Sequence, residues 1–157
     1  EVEVVVASIE NRRMFTCARG TRVTADTMLV DVLAQDFDLI VLPGGMPGAQ
    51  ALADHAPLAA KVREQAAAGR LFAAICAAPA LALQGSGVLK HRRMTYYPAF
   101  SERLSGCTFV DQPVVVDGNC ITSQGPATAL PFALTLVEQL VGKAVRKSVA
   151  EAMLVPA

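Results

Sequence analysis

The run Arg70–Leu83, RLFAAICAAPALAL, constrains this chain more than any other stretch. Leu71–Cys76 is apolar throughout and reads as a strand buried on both faces. Pro79 suits the first turn of a following helix, where a missing N–H does no harm. A strand that becomes a helix within about two residues needs a sharp turn, and the residue on it is thrust above the sheet. Here that residue is Cys76, and Ala74, Ala77, Ala78 and Ala80 supply the small neighbours such a turn demands.

The rest of the chain alternates in the same manner. Val2–Ser8, continuous in valine, predicts a buried strand, and Phe37–Gly45 a second, stopped by Pro43-Gly44-Gly45. Met14–Asp26 reads as two short strands around Arg19-Gly20, with Asp26 as N-cap of a short helix through Gln35. Asp54–Arg70 predicts a helix capped by Asp54 and closed by Gly69, with Leu58, Val62 and Ala66 on one face. Val114–Ser123 is a hairpin turned by Asp117-Gly118-Asn119. Gly125–Gly142 is a long apolar helix starting near Thr128 or Leu130, and a last helix closes the chain. Apolar strands alternating with helices give an α/β fold, a mostly parallel sheet between helices, in a single domain over 1–157. Ligands in such sheets bind beyond the carboxyl ends of the strands. The segments LPGGMPG and ICAAP are therefore expected to open onto one edge.

Composition narrows the function. Of 157 residues 53% are apolar and 18% charged, which excludes disorder. Fourteen basic and 14 acidic residues balance, so neither nucleic acid nor an anionic membrane surface is an expected partner. The basic run Lys90–Arg93 reads as a solvated turn. No apolar run approaches the roughly 20 residues that span a bilayer. The chain begins with Glu1 inside a strand pattern, without a signal peptide or initiator Met, which suggests a processed or truncated chain. Cys17, Cys76, Cys107 and Cys120 show neither metal-ligand spacing nor a disulfide framework, and His55 and His91 lie far from them in sequence. A reducing compartment is expected, the cytoplasm first, with an organelle compatible; no metal site is expected.

Cys76 carries the chemical expectation. A helix N-terminus offers unpaired N–H groups and partial positive charge. A thiol there ionises more readily than a free one, whose pKa is about 8.5, and becomes a nucleophile near neutral pH. Gly44 and Gly45 let backbone N–H groups face the open edge unobstructed and, with the N–H of Ala77, form a candidate oxyanion hole. The alternative is that Cys76 is a small packed hydrophobe, as free cysteines commonly are.

Three motifs, DLIVLPGGMPGAQAL, AAICAAPALAL and ITSQGPATALPFALTLVEQLVG, stand in an order and spacing that resemble the ThiJ/PfpI superfamily, in the branch of the Parkinsonism-associated protein deglycase with its bacterial and plant relatives. The resemblance runs from Val2 to the C-terminus. It implies a flavodoxin-like sandwich, a homodimer, and a reactive cysteine at Cys76. It implies cofactor-free conversion of methylglyoxal or glyoxal to the hydroxy acid, or repair of glycated groups, along with oxidative-stress sensing and holdase activity. Gly44, Gly45 and Ala77 would polarise the substrate oxygen. Cys17 and Arg19 match residues near the family's dimer interface and pocket rim.

Three departures accompany it. The family's first strand and helix, which carry the glutamate that hydrogen-bonds the reactive cysteine, have no counterpart here; Glu1, Glu3 and Glu10 all lie on or after the next strand. That strand is central in the sheet, so an N-terminal fragment of the same protein is the expected partner, unless the segment was omitted from this chain. Tyr97, before Pro98, stands where many members have histidine, and its hydroxyl can still donate a hydrogen bond. Ala78 replaces a common glycine. The resulting expectation is attack of Cys76 on a 2-oxoaldehyde. The rivals are a redox sensor and chaperone using the same thiol, and a non-catalytic domain. A cysteine peptidase or amidotransferase is disfavoured, because peptidase-like members of the superfamily place histidine directly after the cysteine, where this chain has Ala77.

Overall fold

The computed structural model describes residues 1–155. The first four strands are β1 (Ala7–Ser8), β2 (Met14–Thr16), β3 (Arg22–Thr24) and β4 (Thr27–Met28). β2 and β3 pair antiparallel around the turn expected at Arg19-Gly20, where both residues have positive φ, 60° and 81°. β1 pairs in parallel with β4. The expected strand Val2–Ser8 shrinks to these last two residues, and its valines are exposed, Val4 by 74%. The reason is local: β4 covers one edge of β1, and a cleft lies along the other. Asp26 caps no helix. Its Oδ2 accepts from the Val6 amide at 2.8 Å, and α1 (Leu29–Val32) is one turn with Met28 at its cap position.

The main sheet holds β5 (Leu39–Leu42), β6 (Leu71–Ile75), β9 (Val114–Asp117) and β10 (Cys120–Ser123), in the order β5-β6-β10-β9. β5, β6 and β10 run parallel, and β9 turns back on β10 through the expected hairpin, while β7 (Arg93–Met94) and β8 (Thr108–Phe109) form a separate parallel pair. The register sets Leu42 beside Ala74 and Ile75 beside Ser123, so all three parallel strands end at one level.

Between β5 and β6 come α2 (Gly48–Asp54) and α3 (Ala56–Ala67). Asp54 ends α2, its Oδ1 accepting from Gln50 at 2.8 Å. The cap of α3 is His55, whose Nδ1 accepts from the Leu58 amide at 3.2 Å. The sequence pattern misses α2 because glycine and proline at its start read as loop. Leu58 and Val62 bury against Phe72 and Ala74 on one face of the sheet. Ala73, Ile121 and Phe132 pack on the other, under α5 (Ala129–Val141). These two layers around a largely parallel sheet make an α/β sandwich of the flavodoxin-like kind. Gly142, at φ 90°, turns the chain into α6 (Lys143–Ala152), which packs along α5 and has no buried residue.

Candidate active site

Cys76 follows the last residue of β6 at φ 66°, in the left-handed region that costs a non-glycine residue about 1–2 kcal/mol. Two neighbours hold it there. Its N–H donates to the Ser123 carbonyl at 2.9 Å, and its carbonyl accepts from the Tyr97 N–H at 2.9 Å. The bond to Ser123 prolongs the β6–β10 ladder by one residue before the chain turns up. Pro79–Leu83 then winds as a five-residue π-helical turn, completed by α4 (Gln84–Ser86). The short helix expected behind the thiol is thus present as these two brief turns, and local amides are what the elbow offers.

Gly44 explains how β5 reaches the site. A Cβ there would lie 2.5 Å from the Cys76 Cβ, 2.7 Å from the Ile75 carbonyl oxygen and 3.3 Å from the Cys76 Sγ. Only glycine fits, and the sulfur faces the glycine loop. Cys76 is half-buried, so it is not sealed inside the core. The amides of Gly44, Gly45 and Ala77 find no protein acceptor among the described residues. Ala77 is 1% exposed, so its unpaired N–H is costly unless something accepts from it.

Tyr97 stands at the rim, 44% exposed, with its ring over Gly125: a Cβ at 125 would lie 3.3 Å from Tyr97 Cδ2. Pro98 opens the short helical segment Pro98–Arg103. Below, the Thr128 Oγ1 accepts from the Gly125 amide at 3.0 Å and lies 2.6 Å from the Ser123 Oγ. These contacts tie the end of β10 at Ser123 to the loop at Gly125. The sequence reading missed both residues as supports of the site, although ITSQGPAT contains them.

Cys17 and Arg19 are exposed on the β2–β3 turn. Cys17 lines a cleft of about 640 Å³ together with Gly44 and Gly45; Arg19, Cys76 and Tyr97 do not line it. The structure therefore brings Gly44 and Tyr97 to Cys76, with Ala77 next in the chain, while Cys17 shares the cleft with Gly44 and Gly45 and Arg19 lies outside it. Burial pushes the Cys120 thiol up to about 12, with Arg92 opposing and Asp117 adding to the shift. Burial likewise raises Cys107, against a backbone hydrogen bond. Both fit packing roles. No group of three His, Cys, Asp or Glu side chains converges among the described residues.

A strained cysteine at the carboxyl edge of a parallel sheet, packed against a glycine loop whose amides have no protein acceptor, defines an α/β protein with a candidate nucleophile elbow. The chain belongs to the DJ-1/PfpI family, whose model matches residues 1–139. It is 47% identical over 142 residues to the Arabidopsis thaliana protein DJ-1 homolog B, covering 90% of this chain but only 32% of that protein. It thus spans about a third of that relative's length. It is 38% identical over 127 residues to a Caenorhabditis elegans protein named glutathione-independent glyoxalase DJR-1.2, covering 80% of this chain and 67% of that one. The structure of oxidized Toxoplasma gondii DJ-1 superposes with a TM-score of 0.95 at 39% identity, covering 99% of this chain and 84% of the other. No helix among the described residues is long and apolar enough to cross a membrane.

Proposed function

We propose that this domain, the catalytic unit over 1–157, carries the nucleophile of a cofactor-free glyoxalase acting on methylglyoxal or glyoxal. One observation carries the reading: Cys76 sits at φ 66° against Gly44, beside the Gly44 and Ala77 amides, which have no protein acceptor. The C. elegans relative named a glyoxalase supports the reaction class. The Cys76 thiolate adds to the aldehyde carbon, forming a C–S bond and a hemithioacetal. The amides of Gly45 and Ala77 hold the oxygen as charge develops on it. A proton leaves the former aldehyde carbon and another is delivered to the adjacent carbon, converting the 2-oxo hemithioacetal into a 2-hydroxyacyl thioester. Water cleaves the thioester, releasing lactate or glycolate and the free thiol. Tyr97 donates a hydrogen bond to the substrate at the rim. The proton carrier is a carboxyl on an N-terminal segment of the same protein outside residues 1–157, and the working unit is a homodimer with Cys17 and Arg19 near its interface.

The test is steady-state conversion of methylglyoxal by the complete protein and its Cys76→Ala variant. Loss of turnover with an unchanged melting temperature is expected; wild-type turnover in the variant overturns the reading.

A second reading has its own support in the oxidized state of the T. gondii neighbour. The same thiolate reduces two peroxides in turn, passing through sulfenate to sulfinate and releasing two waters, and the protein acts as a redox sensor and holdase with little turnover. Peroxide-dependent mass gain confined to Cys76 without a glyoxalase rate selects it.

A further inference from the structure

Ser123 ends β10 fully buried, and its hydroxyl lies 2.8 Å from the Pro113 carbonyl oxygen and 2.6 Å from the Thr128 Oγ1. A carbonyl only accepts, so the Ser123 proton goes to Pro113. The 2.6 Å contact then takes its proton from Thr128, whose oxygen in turn accepts from the Gly125 amide at 3.0 Å. The Gly125 carbonyl lies 2.9 Å from the same Oγ1, but a proton given to it would leave the shorter contact with none. Each donor thus serves one bond: Gly125 N–H to Thr128, Thr128 O–H to Ser123, Ser123 O–H to Pro113. Bonds linked in this way polarise one another, and loss of the middle hydroxyl strands a donor on one side and an acceptor on the other.

Thr128 stands where a hydroxyl ordinarily caps a helix. It is the N-cap residue of α5, yet its side chain makes no cap bond there. The hydroxyl turns back to Ser123 and Gly125, and both of these residues touch the elbow. The Ser123 carbonyl accepts from the Cys76 N–H. Gly125 lies under the ring of Tyr97, whose own N–H donates to the Cys76 carbonyl. The contacts close a ring that runs Cys76, Ser123, Thr128, Gly125, Tyr97 and back to Cys76. Both bonds that hold Cys76 at φ 66° belong to it. A non-glycine residue keeps such a conformation only where its surroundings over-determine it.

We infer that Thr128 is a positioning residue for the nucleophile: its hydroxyl, through Ser123 on one side and through Gly125 and Tyr97 on the other, holds Cys76 in the left-handed conformation that keeps its thiol against the glycine loop. Thr128 acts through these residues and not on the thiol itself. The inference rests on the reading above for the use of Cys76 as nucleophile; it adds what sets the geometry of that nucleophile.

The complete protein and its Thr128→Val, Thr128→Ser and Ser123→Ala variants test this. Valine keeps the branched shape and lacks the hydroxyl; serine keeps the hydroxyl. Hydrogen exchange at the Cys76 and Tyr97 amides is expected to speed up about tenfold or more in Thr128→Val and in Ser123→Ala, with Phe72–Ala74 of β6 at the wild-type rate. In Thr128→Ser all of these amides are expected to exchange as in wild type. Ser123→Ala breaks the same contact from the other side and decides the outcome where the valine variant does not fold. Unchanged exchange at 76 and 97 overturns the inference, as does an equal rise throughout β6, which marks a general loss of stability. A serine variant that behaves like the valine one also overturns it. In steady-state conversion of methylglyoxal, Thr128→Val is expected to lower kcat about tenfold or more with KM within about twofold. Wild-type kcat in that variant, where Cys76→Ala is inactive, removes the positioning role. Turnover that persists in Cys76→Ala instead fails the glyoxalase reading, and the exchange rates alone then decide whether Thr128 holds the elbow.

Discussion

Gly44 and Cys76 are packed so closely that a single methyl group at 44 would sit 2.5 Å from the Cys76 Cβ. The contact also involves the Ile75 carbonyl oxygen at 2.7 Å, so the clash is with main chain as well as side chain. Gly44→Ala is therefore expected to force β5 and the elbow apart, costing about 1–3 kcal/mol and most of the methylglyoxal turnover. Gly45→Ala is a contrast. Nothing lies within 4 Å of a Cβ there, and the cost is only that of φ 88°, about 1–2 kcal/mol. Melting curves and turnover of the two variants check this: Gly44→Ala loses activity out of proportion to its stability, Gly45→Ala does not.

The left-handed backbone of Cys76 gives a second, independent outcome. Glycine adopts φ 66° without the Cβ penalty, whereas alanine keeps it. Cys76→Gly is expected to melt at or above Cys76→Ala, by up to about 1 kcal/mol, although glycine is usually the worse residue at a strand end. Both variants are expected to be inactive. Thermal denaturation of the pair decides it, and a glycine variant well below the alanine one shows the elbow to be unstrained.

Much of this site is readable in the residues themselves. LFAAIC followed by AAPA fixes a strand, a turn of small residues and a helix start, and the register of β5 on β6 then brings the LPGG loop beside it. Other features depend on what lies across the molecule. Val2–Val6 reads as a buried strand because valine runs encode sheet, yet burial needs a neighbour that pairing inside residues 1–155 does not provide. Asp26 and Asp54 both read as caps from position alone. The Val6 amide captures Asp26, and Gln50 engages Asp54, leaving His55 to cap α3.

Tyr97 tests the rim. Its backbone amide clamps the Cys76 carbonyl in any variant, so Tyr97→Phe removes the hydroxyl alone. With that hydroxyl donating to the substrate oxygen as charge develops, kcat is expected to fall about tenfold or more with KM little changed. Tyr97→Ala is expected to raise KM as well, because the ring over Gly125 is lost. A phenylalanine variant with wild-type kcat assigns Tyr97 a packing role.

Cys120 gives stability a pH dependence of known sign. Its thiol, buried in β10, stays protonated up to about 12 when folded, against 9.0 for the ordinary group. Between those values the folded state holds a proton that the unfolded state has released. Stability from this group is therefore complete below the unfolded value and is lost as pH rises, at up to about 1.4 kcal/mol per pH unit. Cys120→Ala has no such proton. Its deficit relative to wild type, set by the cavity it leaves, is expected to be constant from pH 6 to 8 and to shrink steadily above pH ~9. Urea unfolding of the two proteins at pH 7, 9 and 10 measures the difference, and parallel pH profiles through pH 10 exclude a raised Cys120.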